Sequence, residues 1–285
     1  VIMPAVAIFI TAWAGVFGLV IGSFLNVVAY RVPAGISLMR ESRCPQCGAS
    51  IRAHQNIPVV SWLVQRGRCA NCRGGISARY PLIELLTGAL FVAVAVGVIR
   101  QAAGGSSTGA WATSPVFWGE LIMLVLFAAL SVVLTAIDVD VKRLPNAIVL
   151  PGWAAVVVIL GATTVLASVG DAGAWEPFIR ALLGGVSLYL FYYVVRLISP
   201  RGMGGGDVKL AGLVGTVLGW FGWGALVVGA FSAFVLGGAV GLALIVIKRA
   251  GRKTAIPFGP WMLAGAWVGI LIGEPIARWY LGLYT

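Results

Sequence analysis

Stretches of about 20 residues without a charged side chain recur along the whole chain, each long enough to cross a hydrocarbon core about 30 Å thick at 1.5 Å per residue. That pattern specifies membrane-spanning helices and excludes a soluble enzyme. Composition agrees: of 285 residues, 60% are apolar and 10% charged, and mean hydropathy is +0.99, whereas an ordinary soluble domain has about 45–50% apolar and about 25% charged residues. The first 29 residues carry no charge and run into Tyr30-Arg31. With no basic n-region and an apolar run too long for a signal peptide, they are expected to form a retained helix over 5–30. Seven more spans are expected at 80–99, 116–137, 147–168, 181–198, 208–221, 224–247 and 257–273. The segment 208–221 is short and is separated from its successor only by Gly222-Trp223.

Twenty Lys and Arg against nine Asp and Glu give a net charge of +11. In a soluble chain this would indicate nucleic acid; here no nucleic-acid partner is expected, because the positions of the charges relative to the bilayer matter more than their sum. Seventeen of the twenty basic residues fall in four loops: 31–79, Lys142-Arg143, Arg196 to Lys209, and Lys248 to Lys253. Only Arg100, Arg180 and Arg278 fall on the other side, so the positive-inside rule places these four loops in the cytoplasm and both termini outside. Eight spans satisfy this alternation, and seven would break it.

The one long hydrophilic insert, 31–79, holds all four cysteines as Cys44-Pro-Gln-Cys47 and Cys69-Ala-Asn-Cys72. Two CxxC turns each aim two thiolates at one point, which suits a tetrahedral Zn²⁺. Two disulfides or a redox pair are the other uses of such cysteines, and the expected cytoplasmic location, where thiols stay reduced, favours the metal. Four Cys ligands leave no open coordination position, so the ion would be structural, folding an insert too small to bury its own core. His54 is the only histidine. A ligand or catalytic role is weighed against ordinary surface, and surface is favoured. A single histidine outside the spans excludes an intramembrane Ser-His pair and an HExxH site.

Asp138 and Asp140 end the third expected span and Asp207 begins the sixth. Ionisable groups at that depth are functional candidates. Residues i and i+2 point about 200° apart on a helix, so Asp138 and Asp140 cannot serve one partner; Asp140 is expected to be structural. Asp207 follows Gly202-Met203-Gly204-Gly205-Gly206, a run that permits close backbone approach and could admit an extended peptide or simply link helices. Two carboxylates at one depth can share a proton and activate water, because like charges a few Å apart cannot both ionise.

Several blocks resemble the type IV prepilin peptidases, bifunctional leader peptidases and N-methyltransferases of the GxGD membrane aspartyl protease class. They are Gly22-Ser23-Phe24-Leu25-Asn26-Val27-Val28 before Arg31-Val32-Pro33, the two CxxC turns, and Arg79-Tyr80-Pro81-Leu82-Ile83-Glu84-Leu85-Leu86-Thr87-Gly88. Further along lie Ile137-Asp138 before Leu144-Pro145, Gly204-Gly205-Gly206-Asp207-Val208-Lys209-Leu210, and Ile256-Pro257-Phe258-Gly259-Pro260. Asn146 departs from a common Leu-Pro-Asp.

The resemblance implies an all-α bundle of about eight transmembrane helices, divided as a first helix (1–30), a cytoplasmic zinc-ribbon-like insert (31–79) and a catalytic bundle (80–285). It implies Asp138 and Asp207 as the catalytic pair, a structural Zn²⁺ on Cys44, Cys47, Cys69 and Cys72, and a location in the bacterial inner membrane with the insert and both Asp on the cytoplasmic side. The implied reaction is cleavage after the glycine that ends a short basic leader of a prepilin or pseudopilin, usually before phenylalanine. Methylation of the new amine with S-adenosylmethionine follows, and no binding residue for that cofactor is assigned. Glu84 is read as either a substrate or cofactor contact or a structural pair, Glu120 as structural, and Asn26 as an interhelical hydrogen bond. The competing classes are an ion-coupled transporter and a non-catalytic membrane scaffold. A transporter would place its carboxylates near the bilayer midplane, not at the cytoplasmic edge.

Overall fold

The computed structural model describes residues 2–104, 110–169, 172–200, 203–247 and 257–284. Arg201, Gly202, Lys248, Arg249, Arg252, Lys253 and Ile256 lie outside the described residues. Ten α-helices occur among the described residues: α1 (Ile2–Arg31), α2 (Val60–Val64), α3 (Arg79–Gly104), α4 (Pro115–Val141), α5 (Asn146–Ser168), α6 (Trp175–Ile198), α7 (Gly205–Phe221), α8 (Trp223–Val246), α9 (Gly259–Val268) and α10 (Glu274–Leu281). A π-helical turn, Gly269–Gly273, joins α9 to α10, and among the described residues β-pairing is limited to two isolated bridges.

Seven of these helices or helix runs are long and apolar enough to span a membrane: Pro4–Arg31, Arg79–Gly104, Pro115–Val141, Asn146–Ser168, Trp175–Ile198, Trp223–Val246 and Gly259–Leu281. The remaining expected segment is α7, whose 17 residues rise about 26 Å at 1.5 Å each. Its residues Val208 and Leu210 to Trp220 are all buried. A helix that is apolar all round and covered by protein needs no lipid-length match.

The chain divides into two compact units, Val1–Val133 and Leu134–Thr285. In the first, α1 and α3 run antiparallel in close contact: a Cβ on Gly18 would lie 2.8 Å from Gly88 Cα, and one on Gly22 2.7 Å from Glu84 Cα. The glycines let the backbones approach where lipid supplies no hydrophobic drive. Asn26 Nδ2 extends the same register by donating to Tyr80 O at 3.1 Å, as the sequence led one to expect. Arg31, counted above as a topogenic charge, is 8% exposed. Its guanidinium donates to the carbonyls of Ser37 (3.2 Å), Leu38 (3.0 Å) and Glu41 (3.3 Å), and to that of Arg40, and so folds the chain leaving α1.

In the second unit α6 and α7 pack antiparallel. A Cβ on Gly184 would lie 2.6 Å from Gly215 O, and one on Gly219 3.0 Å from Ala181 Cα. Arg180 closes the far end of α7, donating through Nε to Gly219 O (2.8 Å) and through Nη2 to Trp220 O (2.9 Å); these are carbonyls that a helix terminus leaves without an internal partner. Gly222, at φ 149°, turns the chain into α8 in a conformation only glycine adopts readily. Glu274 Oε1 accepts from Gly224 N at 2.9 Å just beyond it.

Candidate active site and cysteine cluster

The cysteine turns are two copies of one structure. Residues 43–50 and 68–75 are each closed by an antiparallel bridge, Arg43 to Ser50 and Arg68 to Gly75. In each, the first cysteine donates its N–H five residues on, Cys44 to Ala49 O (2.9 Å) and Cys69 to Gly74 O (2.8 Å). The residue after the second cysteine, Gly48 or Arg73, has positive φ. The outcome is that Cys44, Cys47, Cys69 and Cys72 place their Sγ atoms within 4.8 Å of one another, with 3.9 Å between Cys44 and Cys72.

The backbone N–H groups of Cys72 and Asn71 pull the Cys69 thiol down to about 6. Cys47 is lowered by the Ala49 N–H and the Asn71 side chain. At Cys72 the Gly74 N–H lowers the thiol, but desolvation and its three cysteine neighbours outweigh this and push it up to about 11. Four thiols at this spacing resist collective deprotonation, and a divalent cation at their centre would remove that penalty. His54 is exposed and outside this cluster; its carbonyl accepts from Ser61 Oγ at 2.9 Å.

Asp138 lies one turn before the end of α4 and is 4% exposed. The helix stops because Lys142 adopts φ 51° and Pro145 follows as the N-cap of α5. Asp138 Oδ2 accepts from the N–H of Gly259, the first residue of α9, at 3.1 Å. Asp207 sits in the first turn of α7, where a carboxylate is favoured by the helix dipole, and its Oδ2 accepts from Gly204 N at 3.0 Å.

Leu144 ties these segments together: a Cβ on Gly206 would lie 2.8 Å from Leu144 Cβ, and one on Gly259 3.4 Å from Leu144 Cδ1. The charge on Asp138 acts directly on Asp207, so the two carboxylates share one electrostatic environment. Asp140, two residues along α4, is exposed. Asn146 accepts from Lys209 Nζ at 2.8 Å, which links the start of α5 to α7. The Arg196 guanidinium lies over Gly205.

Two participants carried no role in the sequence reading. Gly259, 121 residues from Asp138, was visible only as part of a Pro-Phe-Gly-Pro block. Tyr192, 1% exposed on α6, stacks on Phe234 at 5.6 Å between centroids and lies tilted against Phe258, the neighbour of Gly259, at 6.1 Å; nothing in its local sequence marks it. Glu84, left between two readings, is 7% exposed and accepts the Val59 N–H at 2.7 Å. It thereby anchors a β-branched residue held at φ 61°, an uncommon conformation for such a side chain.

Two carboxylates at helix ends of a multispan α-bundle, in a chain that also carries a four-cysteine ribbon, make the membrane peptidases the class to compare. Residues 124–242 match the Type IV leader peptidase family and residues 16–98 match the Bacterial Peptidase A24 N-terminal domain. A protein of Aeromonas hydrophila named prepilin leader peptidase/N-methyltransferase is 37% identical over 93% of this chain and 91% of its own length. Proteins of the same name from Pseudomonas putida (36%, 95% and 93%) and Neisseria gonorrhoeae (35%, 94% and 93%) are similar over comparable spans. No solved structure matches the chain. The chain belongs to the type IV leader peptidase family.

Proposed function

We propose that this protein is a membrane aspartyl endopeptidase that removes the short basic leader of type IV pilin-like precursors, cutting after glycine, and then N-methylates the new N-terminus. The observation that carries the reading is the pairing of Asp138 and Asp207 through Leu144 and Gly259, with each carboxylate held by a single backbone N–H. One carboxyl in such a pair stays protonated while the other is ionised. The ionised Asp takes a proton from a water molecule as its oxygen attacks the scissile carbonyl, and the protonated Asp donates to the carbonyl oxygen; the first Asp then passes the proton it took from water to the leaving amine as the C–N bond breaks, while the second recovers its own from the hydroxyl of the tetrahedral intermediate.

Both Asp lie at helix ends, and the distribution of basic residues supports a cytoplasmic position for them, where water is available and the substrate's basic leader can stay outside the hydrocarbon. The extended segment approaches along Gly204 to Gly206. The insert 31–79 is a zinc-ribbon-like domain in which Cys44, Cys47, Cys69 and Cys72 hold a structural Zn²⁺, a donor set suited to that ion. S-adenosylmethionine, when bound, supplies an electrophilic methyl group. The protein works in the bacterial inner membrane, with prepilins or pseudopilins as substrates.

The test is cleavage of a synthetic leader-bearing peptide by the purified full-length protein. Asp138→Ala and Asp207→Ala are each expected to lower the rate by at least about a thousandfold, as members of one catalytic unit do, while Asp140→Ala keeps substantial activity. An active Asp138→Ala alongside an inactive Asp140→Ala would sink the assignment.

A further inference from the structure

Asp138 is held by the Gly259 N–H, and the first turn of α9 is built so that this donor is free to hold it. Pro260, the second residue of the helix, has no N–H, and the Trp261 N–H is bonded to Phe258 O at 3.1 Å. The Gly259 N–H belongs to the peptide plane that Gly259 shares with Phe258, whose atoms move as one unit. Whatever fixes Phe258 therefore aims the donor at Asp138.

Phe258, the N-cap of α9, is gripped by rings from two other helices. Its centroid lies 5.3 Å from that of Phe234 on α8, with the planes at 43°, and 6.1 Å from that of the buried Tyr192 on α6, at 42°. Tyr192 and Phe234 stack on each other at 5.6 Å and 17°, so the three rings close a triangle. Phe191 adds an edge contact to Phe234 at 6.2 Å. The backbone of α8 comes up against the same ring: a Cβ on Gly237 would lie 3.3 Å from Phe258 Cε2 and 3.3 Å from Trp261 Cδ1. Lipid would surround these rings with equally apolar groups, so burial alone does not account for the arrangement. What the triangle adds is geometry, since aromatic pairs prefer particular offsets and angles.

We propose that Phe258 is a positioning residue of the peptidase, held by Tyr192 and Phe234 so that the Gly259 N–H meets Asp138. The inference rests on the peptidase reading above and extends it to α6 and α8, whose rings act on the carboxylate through one peptide plane rather than by contact with it.

Steady-state cleavage of a leader-bearing peptide by the purified full-length protein tests it, with thermal unfolding in detergent run on each variant. Phe258→Leu keeps an apolar side chain and removes the ring. It is expected to lower kcat by about tenfold, within the range that misplacing a catalytic group by up to about 1 Å costs, and to leave KM unchanged. Tyr192→Leu should do the same, and Tyr192→Phe, which keeps the ring, should restore the rate. Gly259→Ala, whose Cβ would lie 2.7 Å from Asp138 Oδ2, disturbs the same N–H directly. Because the ring acts through that N–H, Phe258→Leu combined with Gly259→Ala is expected to be within about twofold of the slower single variant. Losses that multiply would overturn the inference, as would wild-type kcat in folded Phe258→Leu and Tyr192→Leu proteins. A raised KM at constant kcat would make the rings a substrate surface, and a Tyr192→Phe protein as slow as Tyr192→Leu would give the role to the hydroxyl; either result overturns the proposal. Failure of the wild-type protein to cleave the peptide, or a wild-type rate in Asp138→Ala, would instead overturn the peptidase reading on which the proposal rests.

Discussion

Adding a single methyl group at Gly259 should impair catalysis without touching either carboxylate. A Cβ there would lie 2.7 Å from Asp138 Oδ2, whereas ordinary contact begins near 3.4 Å, so one of the two must retreat by about 0.7 Å. The Gly259 N–H to Oδ2 bond is already 3.1 Å long, and a displacement of that size breaks or badly bends it. A hydrogen bond to a charged group contributes about 1.5–3 kcal/mol, and misplacing a catalytic group by about 1 Å costs up to about 100-fold. Gly259→Ala should therefore lower kcat for the leader peptide by about 10- to 100-fold, with KM little changed because the substrate-binding surface is left intact. The global fold should hold, since the contact is with the end of a side chain and with Leu144 Cδ1 at an ordinary 3.4 Å. Steady-state cleavage assays with Gly259→Ala, accompanied by thermal unfolding in detergent, separate the two effects. Wild-type kcat in a folded Gly259→Ala protein would refute the claim that this amide positions Asp138.

Other outcomes follow from the same geometry. Metal analysis should find one zinc per chain, and its removal by a strong chelator should make 31–79 protease-sensitive before the helices unfold; absence of zinc together with two disulfides would reverse both the metal assignment and the cytoplasmic placement of the insert. Gly206→Val, whose Cβ would lie 2.8 Å from Leu144 Cβ, and Gly205→Pro should slow cleavage without removing a carboxylate, and full activity in both variants would reduce the glycine run to a linker. Gly215→Leu, with its Cβ 2.9 Å from Leu188 Cβ, should destabilise the α6 and α7 pair by about 1–3 kcal/mol, read as a lower Tm; an unchanged Tm would mean that the helices can separate at no cost.

Local features of the sequence were enough to show the helical segments, the hydrophilic insert and the set of four cysteines. Span length depends on a continuous apolar run and ligand turns on a two-residue spacing, so both are written within a few neighbouring residues. The Asn26 contact was also legible, because Gly22 and Asn26 lie one turn apart on one face of α1. Other assignments depended on partners far away in the chain. Arg31 looked like a topogenic charge and turned out to organise the loop after α1; α7, short already in the sequence, proved to be enclosed by protein; Glu84 anchors Val59, 25 residues away. Asp138 and Gly259 are 121 residues apart, and no periodicity or spacing couples them. Their contact exists because Lys142 ends α4 at φ 51° and the following Leu144 packs against both Gly206 and Gly259. Hydrophobic patterning can say that a helix enters the membrane, but which backbone amide meets which carboxylate is decided by how the helix ends pack, and that is a property of the assembled bundle alone.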